Sequence, residues 1–388
     1  MAVRAVSSEI EFEQLRDGWN ELWRSNPNHT PYQSWEWNYA WWKHFGRPGN
    51  LYLVLVEHEG RLTGLAPFYV SSSYRGVPVR HLSFISSRRA DYLDFLIARG
   101  SEAAVLGELF EFLGRSSWRL IELRDYPSGS SNLPHLLRVA TGAYTYLSLQ
   151  QAEQCATAPL PASWEEYLAT LGKNQRRNVG RYRRMLSEKF NVTFKAPTSP
   201  VEVRQCFEDF ATVFRSRWRT GHGATLFGDP RGFAFEREVC ELGSAAGWFR
   251  FYMLYLDDKP VAGYLGYVWN ERFYAGLLAY RPEYHRLSAG SVLIGMSIED
   301  CIGKGLVEFD MTRGAEGYKA HWNCVPKYNY IIKMSRSEKL LAGLAMFDRV
   351  RNGLGRIQLM RRMRDWVKGR RGGELRSDDS PADSKTKP

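Results

Sequence analysis

Residues 248–322 read WFRFYMLYLDDKPVAGYLGYVWNERFYAGLLAYRPEYHRLSAGSVLIGMSIEDCIGKGLVEFDMTRGAEGYKAHW, and the changes of period inside this stretch decide the fold. Phe249–Leu256 is dense in aromatic and branched apolar residues, as a strand with a buried face requires. Asp257-Asp258-Lys259-Pro260 is turn chemistry. Val261–Trp269 and Arg272–Tyr280 read as two further strands, split by Asn270-Glu271. The spacing then switches. Val292, Leu293, Met296 and Ile298 follow Ser288-Ala289-Gly290-Ser291 at helical intervals, with Ser288 in the N-cap position and Gly303 and Gly305 as stops. Leu306–Met311 is a short strand that leaves through Arg313-Gly314.

Three strands, a helix that starts on small residues, and a fourth strand form a unit whose chemistry is legible. A helix N-terminus with small residues offers free backbone N–H groups and a positive dipole end, which suits a diphosphate. By spacing alone, the same turn reads first as a plain capped helix. Period-two alternation puts Glu308 and Asp310 on one face of their strand. An Asp beside Arg313 is either a base or half of a structural ion pair. His285 and His321 are candidate bases from composition only.

Several motifs in order, namely Arg281-Pro282-Glu283-Tyr284, Ser288-Ala289-Gly290-Ser291, Glu308–Gly314 and Tyr318-Lys319 with Trp322, resemble the cofactor-binding half of the GNAT acyltransferase superfamily. More closely they resemble the CelD/BcsL-type acetyltransferases of cellulose biosynthesis, relatives of the FemAB peptidyltransferases. The resemblance runs from about Pro31 to about Met334. It implies an α/β (α+β) chain of two tandem GNAT-like domains, with mixed central sheets flanked by helices. It also implies acetyl-CoA or another acyl-CoA as co-substrate, without a metal. Arg286, Ser288, Ala289, Gly290 and Ser291 match the cofactor turn, although Ala289 and Ser291 stand where the GNAT pattern has Gly and Gly or Ala. Asp310 and Tyr318 match as catalytic positions, and Arg313 and Lys319 as substrate-binding ones. Arg177 joins them through a basic helix similar to one in the family.

Composition bounds this reading. The chain has 388 residues with 44 % apolar content, enough for two domains and a substantial core. The N-terminus has no apolar run of signal-peptide kind and no stretch approaches a spanning length. The expectation is a cytoplasmic protein, or one peripheral to the inner face of the cell membrane. Five scattered cysteines without a C-x-x-C argue against a disulfide framework or zinc site, and Cys324 reads as a small buried hydrophobe. The net charge of +11 is concentrated in two places. Residues 173–189 hold 7 basic residues against 1 acidic, and residues 333–371 hold 12 against 3. The first patch puts Lys173, Arg177, Arg181 and Arg184 on one helix face, which is either solvated or phosphate-facing.

Elsewhere, Ile10–Arg24 reads as one amphipathic helix. The segment Pro31–Trp42 carries Trp37, Trp41 and Trp42 at helical spacing, which fits core packing or a sugar-stacking surface. Residues 54–65 echo residues 253–264 as strand, polar turn, strand, with Gly64 and Gly263 in matching places. Asp91 and Asp94 shape either an acceptor pocket or turns. Gln150–Pro161 reads as a polar connector, Tyr328–Met334 as a strand closing the sheet, and 338–368 as a basic amphipathic helix that packs, dimerises or lies on an anionic membrane. The expected division is 1–155 (a degenerate GNAT-like domain), 156–335 (the acyltransferase domain), 336–371 (the basic helix) and 372–388 (a disordered tail). The functional expectation is acyl transfer to a small-molecule or glycan acceptor related to sugars or the cell envelope. The alternatives are a FemAB-like transferase using aminoacyl-tRNA, for which no RNA-recognition motif speaks, and a catalytically degenerate accessory of polysaccharide synthesis.

Overall fold

The computed structural model describes residues 1–351 except 88, 117, 144–145, 218–228 and 315. Its centre is one mixed sheet. The strands are β1 (Ala2–Val6), β2 (Leu51–His58), β3 (Arg61–Ser71), β4 (His81–Phe84), β5 (Leu96–Ile97), β6 (Leu120–Pro127), β7 (Tyr146–Pro159), β8 (Val192–Lys195), β9 (Phe249–Leu256), β10 (Lys259–Trp269), β11 (Arg272–Tyr280), β12 (Glu308–Arg313) and β13 (Val325–Ser335). Their spatial order is β1-β2-β3-β4-β6-β13-β7-β12-β11-β10-β9-β8, with β5 on β3. The helices are α1 (Glu9–Gln14), α2 (Arg16–Arg24), α3 (Trp35–Phe45), α4 (Glu102–Gly114), α5 (Leu133–Ala143), α6 (Trp164–Thr170), α7 (Lys173–Ser187), α8 (Pro200–Arg217), α9 (Pro230–Ala245) and α10 (Ala289–Gly303).

The two halves of the sheet repeat one plan. In each, an antiparallel run ends in a parallel pair, β4 with β6 and β11 with β12. Parallel neighbours need a long crossover, which contains α4 in the first half and α10 in the second. The final strand of each half then crosses over: β7 pairs with β12, and β13 pairs with β6. β7 and β13 also pair with each other from Tyr146↔Ser335 to Thr157↔Val325. One continuous sheet therefore replaces the expected pair of sheets.

Three sequence expectations are corrected here. Gln150–Pro161 is not a connector, because most of it lies in β7 at the centre of the sheet. Its first half leaves side chains exposed, so it carries no apolar alternation, and backbone pairing with β13 makes it a strand. β13 likewise does not close the sheet but lies between β6 and β7. The helix expected over Ile10–Arg24 is two helices that meet at Leu15, and Ile10 is exposed.

Gly64 and Gly263 share a reason. A Cβ on Gly64 would collide with Val105 of α4, and one on Gly263 would lie 2.5 Å from Phe210 Cδ2 of α8. Each glycine lets a helix lie directly on the strand. Trp37, Trp41 and Trp42 are all buried, and Trp37 meets Phe235 of α9 and Tyr267 of β10 edge-on. The tryptophan segment is core, not a sugar platform. Helices α8 and α9 cover one face of the second half, where Phe210, Val239 and Tyr267 pack. Helix α10 covers the other, where Phe273 and Phe309 stack at 4.5 Å.

Met1–Arg336 forms one compact unit. In the second unit, Ser337–Pro388, residues 338–351 are helical, with Leu341 and Leu344 buried and Met346 and Val350 exposed. The rest of the expected basic helix and the tail lie outside the described residues. Among the described residues, no helix is long and apolar enough to cross a membrane.

Candidate active site

Strands β11 and β12 pair at Arg272↔Glu308, Phe273↔Phe309 and Tyr274↔Asp310, and then part. β12 shifts its register and continues beside β7, with Arg313 opposite Cys155. Thr312 makes the departure at φ +54, a left-handed conformation that is costly for a β-branched residue. Three groups hold it. Its N–H donates to Asp310 Oδ1 at 2.7 Å, and its hydroxyl donates to the Ala275 carbonyl at 3.1 Å. Lys319 Nζ donates to the carbonyls of Thr312, Arg313 and Gly314 at 3.3, 2.7 and 3.3 Å. Lys319 is 4 % exposed and also meets Glu316. It is a fastener of this turn, and its donors are not free for phosphate.

The parting opens a cavity of about 630 Å³, within the range of small-molecule sites. One wall is the Ala275–Leu278 edge of β11. The others are Met311–Arg313, Tyr318 and the start of α10. Tyr318 presents a hydroxyl with no hydrogen-bond partner among the described residues, and burial raises its pKa. His285 lines the cavity, whereas His321 does not.

The start of α10 is open. Ser288 adopts the left-handed conformation, φ 55 and ψ 35, and its side chain caps nothing. The first helical bond runs from Val292 N–H to the Ser288 carbonyl. The amides of Ala289, Gly290 and Ser291 have no acceptor among the described residues, and all three residues line the cavity. A Cβ on Gly290 would lie 2.9 Å from Tyr280 Cδ1, so glycine keeps the cradle clear. From α7, hydrogen bonds with Ser288 and then Arg181 lower the Tyr182 pKa. Three free amides at a positive dipole end, beside an apolar channel with an open strand edge, fit the diphosphate and arm of an acyl-CoA. Ala289 and Ser291, which depart from the family pattern, are small enough to leave that cradle unfilled. Arg286, two residues before Ser288, and Arg177 of α7 are exposed, without acidic partners among the described residues, and line none of its wall.

Behind the parting lies a smaller chamber of about 220 Å³ that shares Ala275, Gly276, Leu277, Thr312 and Arg313 with the first. Its other walls include Trp37 of α3, Asp91 and Glu236 of α9. Arg313 does not pair with Asp310. Its Nε meets Asp91 Oδ1 at 2.8 Å, its Nη1 lies 3.5 Å from Asp125 Oδ2, and its Nη2 donates to the Ala90 carbonyl at 2.7 Å. Burial pushes Asp91 up to about 6 against the pull of Arg313. Glu236 is 8 % exposed and has no hydrogen bond or ion pair among the described residues. Burial pushes it up to about 7, with Arg89 opposing. Glu236 was not singled out from the sequence. Its readable signal was an acid inside the apolar stripe of Phe235, Val239 and Cys240.

Asp310 faces elsewhere. It lines a third cavity with Glu308 and touches neither of the first two. Tyr92 donates to its Oδ2 at 2.7 Å, and burial pushes it up to about 7. The structure thus brings Ser288–Ser291, Arg313 and Tyr318 together and sets Asp310 apart. Cys324 is half-buried, and burial pushes its thiol up to about 12.

These raised carboxyls fix a sign. Asp310, Glu236, Asp91 and Asp94 all hold protons in the folded state at pH values where the unfolded chain has released them. The stability they contribute is full below about pH 4 and is lost as pH rises to about 7. The urea midpoint should therefore fall between pH 5 and pH 8. Asp310→Asn should flatten that fall, since Asn Oδ1 keeps the Thr312 bond and Nδ2 donates to the Tyr92 oxygen as a protonated acid would. A midpoint that rises over the same interval contradicts the assignment.

Residues 173–320 match the family model of an acetyltransferase (GNAT) domain. Among solved structures, FemX is similar over 89 % of this chain and 99 % of its own, with a TM-score of 0.59 at 11 % identity. A conserved protein of unknown function from Bacteroides thetaiotaomicron is similar over 86 % of this chain and 100 % of its own, with a TM-score of 0.54 at 10 % identity. The C-terminal domain of a putative lysylphosphatidylglycerol synthetase from Agrobacterium fabrum gives a TM-score of 0.53 at 11 % identity, covering 88 % of this chain and 96 % of its own. Identities this low speak for the fold alone. No functionally curated protein matches the chain in sequence. Residues 173–320 therefore match an acetyltransferase (GNAT) domain, within a chain whose fold is like that of FemX.

Proposed function

We propose that the protein transfers an acyl group, acetyl in the simplest case, from an acyl-CoA directly to an amine or hydroxyl of a sugar- or envelope-related acceptor. The observation that carries this reading is the parting of β11 from β12, with three amides at one end and, in a chamber at the other, a carboxylate, none of which has a hydrogen-bond partner among the described residues. The repeated strand plan supports two GNAT-like halves that exchange their last strands, of which the second holds the acyl donor. The order of the short motifs supports the CelD/BcsL branch.

When bound, the acyl-CoA supplies an activated thioester. The amides of Ala289, Gly290 and Ser291 hold its diphosphate end, and the free edge of β11 positions its arm. Glu236 takes a proton from the acceptor in the chamber, and Tyr318 returns one to the departing sulfur. Arg313 and Thr312 form the wall shared by both spaces. Asp310 steadies Thr312 from behind and does not meet the reacting atoms.

Calorimetry with acetyl-CoA tests the reading. Binding should be micromolar, and Gly290→Val, which fills the cradle, should weaken it at least about tenfold, or ~1.4 kcal/mol; because its Cβ also crowds Tyr280, the urea midpoint is read in parallel to show that the variant is folded. Failure of acetyl-CoA and longer acyl-CoAs to bind overturns it. Binding of charged tRNA alone would replace it with aminoacyl transfer.

A further inference from the structure

The third cavity has no part in the transfer just described. It holds about 330 Å³ where the two halves of the sheet face each other, on the same side of β11 and β12 as Tyr274 and Asp310. No residue of its wall belongs to the acyl groove. Cavities between packed halves of a fold are common ligand sites, and the groups in this one restrict what fits.

Anions are disfavoured. Its two cations, Lys327 and Arg272, face Glu308, and the ionised Asp94 adds a second negative charge to the wall: Lys327 Nζ donates to both Glu308 oxygens at 2.7 Å, and Arg272 Nε, which makes no hydrogen bond among the described residues, lies 3.9 Å away. Cations are not demanded either. Asp94 accepts from the Phe95 N–H, Asn132 and Ser130, and Asp310 accepts from Tyr92 and Thr312. Burial pushes these carboxyls up to about 6 and about 7, so near pH 7 Asp310 is partly protonated, while Asp94 is mostly ionised and its charge is met by its three donors. His29 is neutral, with both ring nitrogens used and its pKa lowered to about 4 by burial.

Neutral hydrogen-bonding groups remain. The side chains of Asn28, Ser128 and Ser131 and the Tyr328 hydroxyl line the cavity without partners among the described residues. Tyr328 is 39 % exposed, which leaves part of its ring uncovered. A group that both donates and accepts satisfies such a set best, and hydroxyls do both. The aromatic ring adds a flat apolar face for a ring of carbon atoms.

We propose that this cavity, bounded by Asp310, Tyr328 and the Ser128–Asn132 loop, binds a neutral, hydroxyl-rich ligand, namely a saccharide unit. It is a site separate from the acyl groove. Occupancy there bears on Asp310, whose other oxygen holds the strained Thr312 at the mouth of that groove.

The experiment is a titration of the full chain with N-acetylglucosamine, glucose and cellobiose, read by saturation-transfer NMR and calorimetry. Spermidine and inorganic phosphate serve as charged comparisons. At least one saccharide should bind with a Kd at or below the millimolar range. Tyr328→Ala should weaken it about tenfold. Ser131→Trp, a change on an exposed loop at the cavity, should abolish it, with acetyl-CoA affinity unchanged within twofold. The proposal is overturned if none of the saccharides binds, if binding ignores both variants, or if only spermidine or phosphate binds. Loss of acetyl-CoA binding with saccharide binding intact would sink the acyltransfer reading alone.

Discussion

Glu236→Gln is expected to lower kcat by ~10²–10⁴-fold, the usual contribution of a positioned general base, with little change in KM for acetyl-CoA. The carboxylate lies in the chamber behind the parted strands, not in the groove that would hold the coenzyme. Its loss should therefore spare donor binding. In the native protein the rate should rise with pH through about 7, because burial holds Glu236 protonated until then and a base acts only once deprotonated. The variant should lose that limb. Stability gives an independent control. A buried acid without a partner costs folding energy once it ionises, so the neutral amide should leave the protein at least as stable at pH 8. Thiol release in the presence of an acceptor measures the rate, and urea unfolding measures the stability. An unchanged kcat, or a pH limb that survives the substitution, removes Glu236 from the reaction.

Residues 248–322 were legible because their periods differ and each period had a local cause. Strands β9 to β11 are aromatic and branched, their turns are polar, and α10 begins on small residues and ends at glycines. What the sequence lacked were facts held by partners far along the chain. β7 is polar because helices leave part of it uncovered, and it is central because β13 pairs with it. Alternation placed Glu308 and Asp310 on one face of β12, as observed. Which face opened onto the groove depended on whether α10 or the α8–α9 layer covered it, and no local pattern encodes that. Glu236 went unread for a related reason. An acid in an apolar helix stripe is visible in the sequence, but only the fold shows whether it meets a cation or an empty chamber. The motif around Arg313 and Lys319 lies at the wall between groove and chamber, where both side chains are spent on carbonyls and carboxylates of the framework.

Arg313→Ala should cost ~3–5 kcal/mol of stability at pH 7.5, the range for breaking a buried pair by removing one partner. The guanidinium bridges Asp91, Asp125 and the Ala90 carbonyl, and both acids are less than a tenth exposed. Without it, Asp91 keeps Asp125 as a neighbour but loses the cation that holds its pKa down, so ionising it in this desolvated corner costs more. Part of the loss should return near pH 5, where Asp91 holds its proton. Arg313→Lys should rescue little, because one ammonium cannot span three acceptors in different directions as the fork does. Arg313→Met with Asp91→Asn should be milder than Arg313→Ala, since it removes a charge together with its partner. Urea midpoints at pH 5 and pH 7.5 across these variants separate the cases. A small loss that does not change with pH would mean that solvent reaches the pair, and that the wall shared by groove and chamber is not held by this charge.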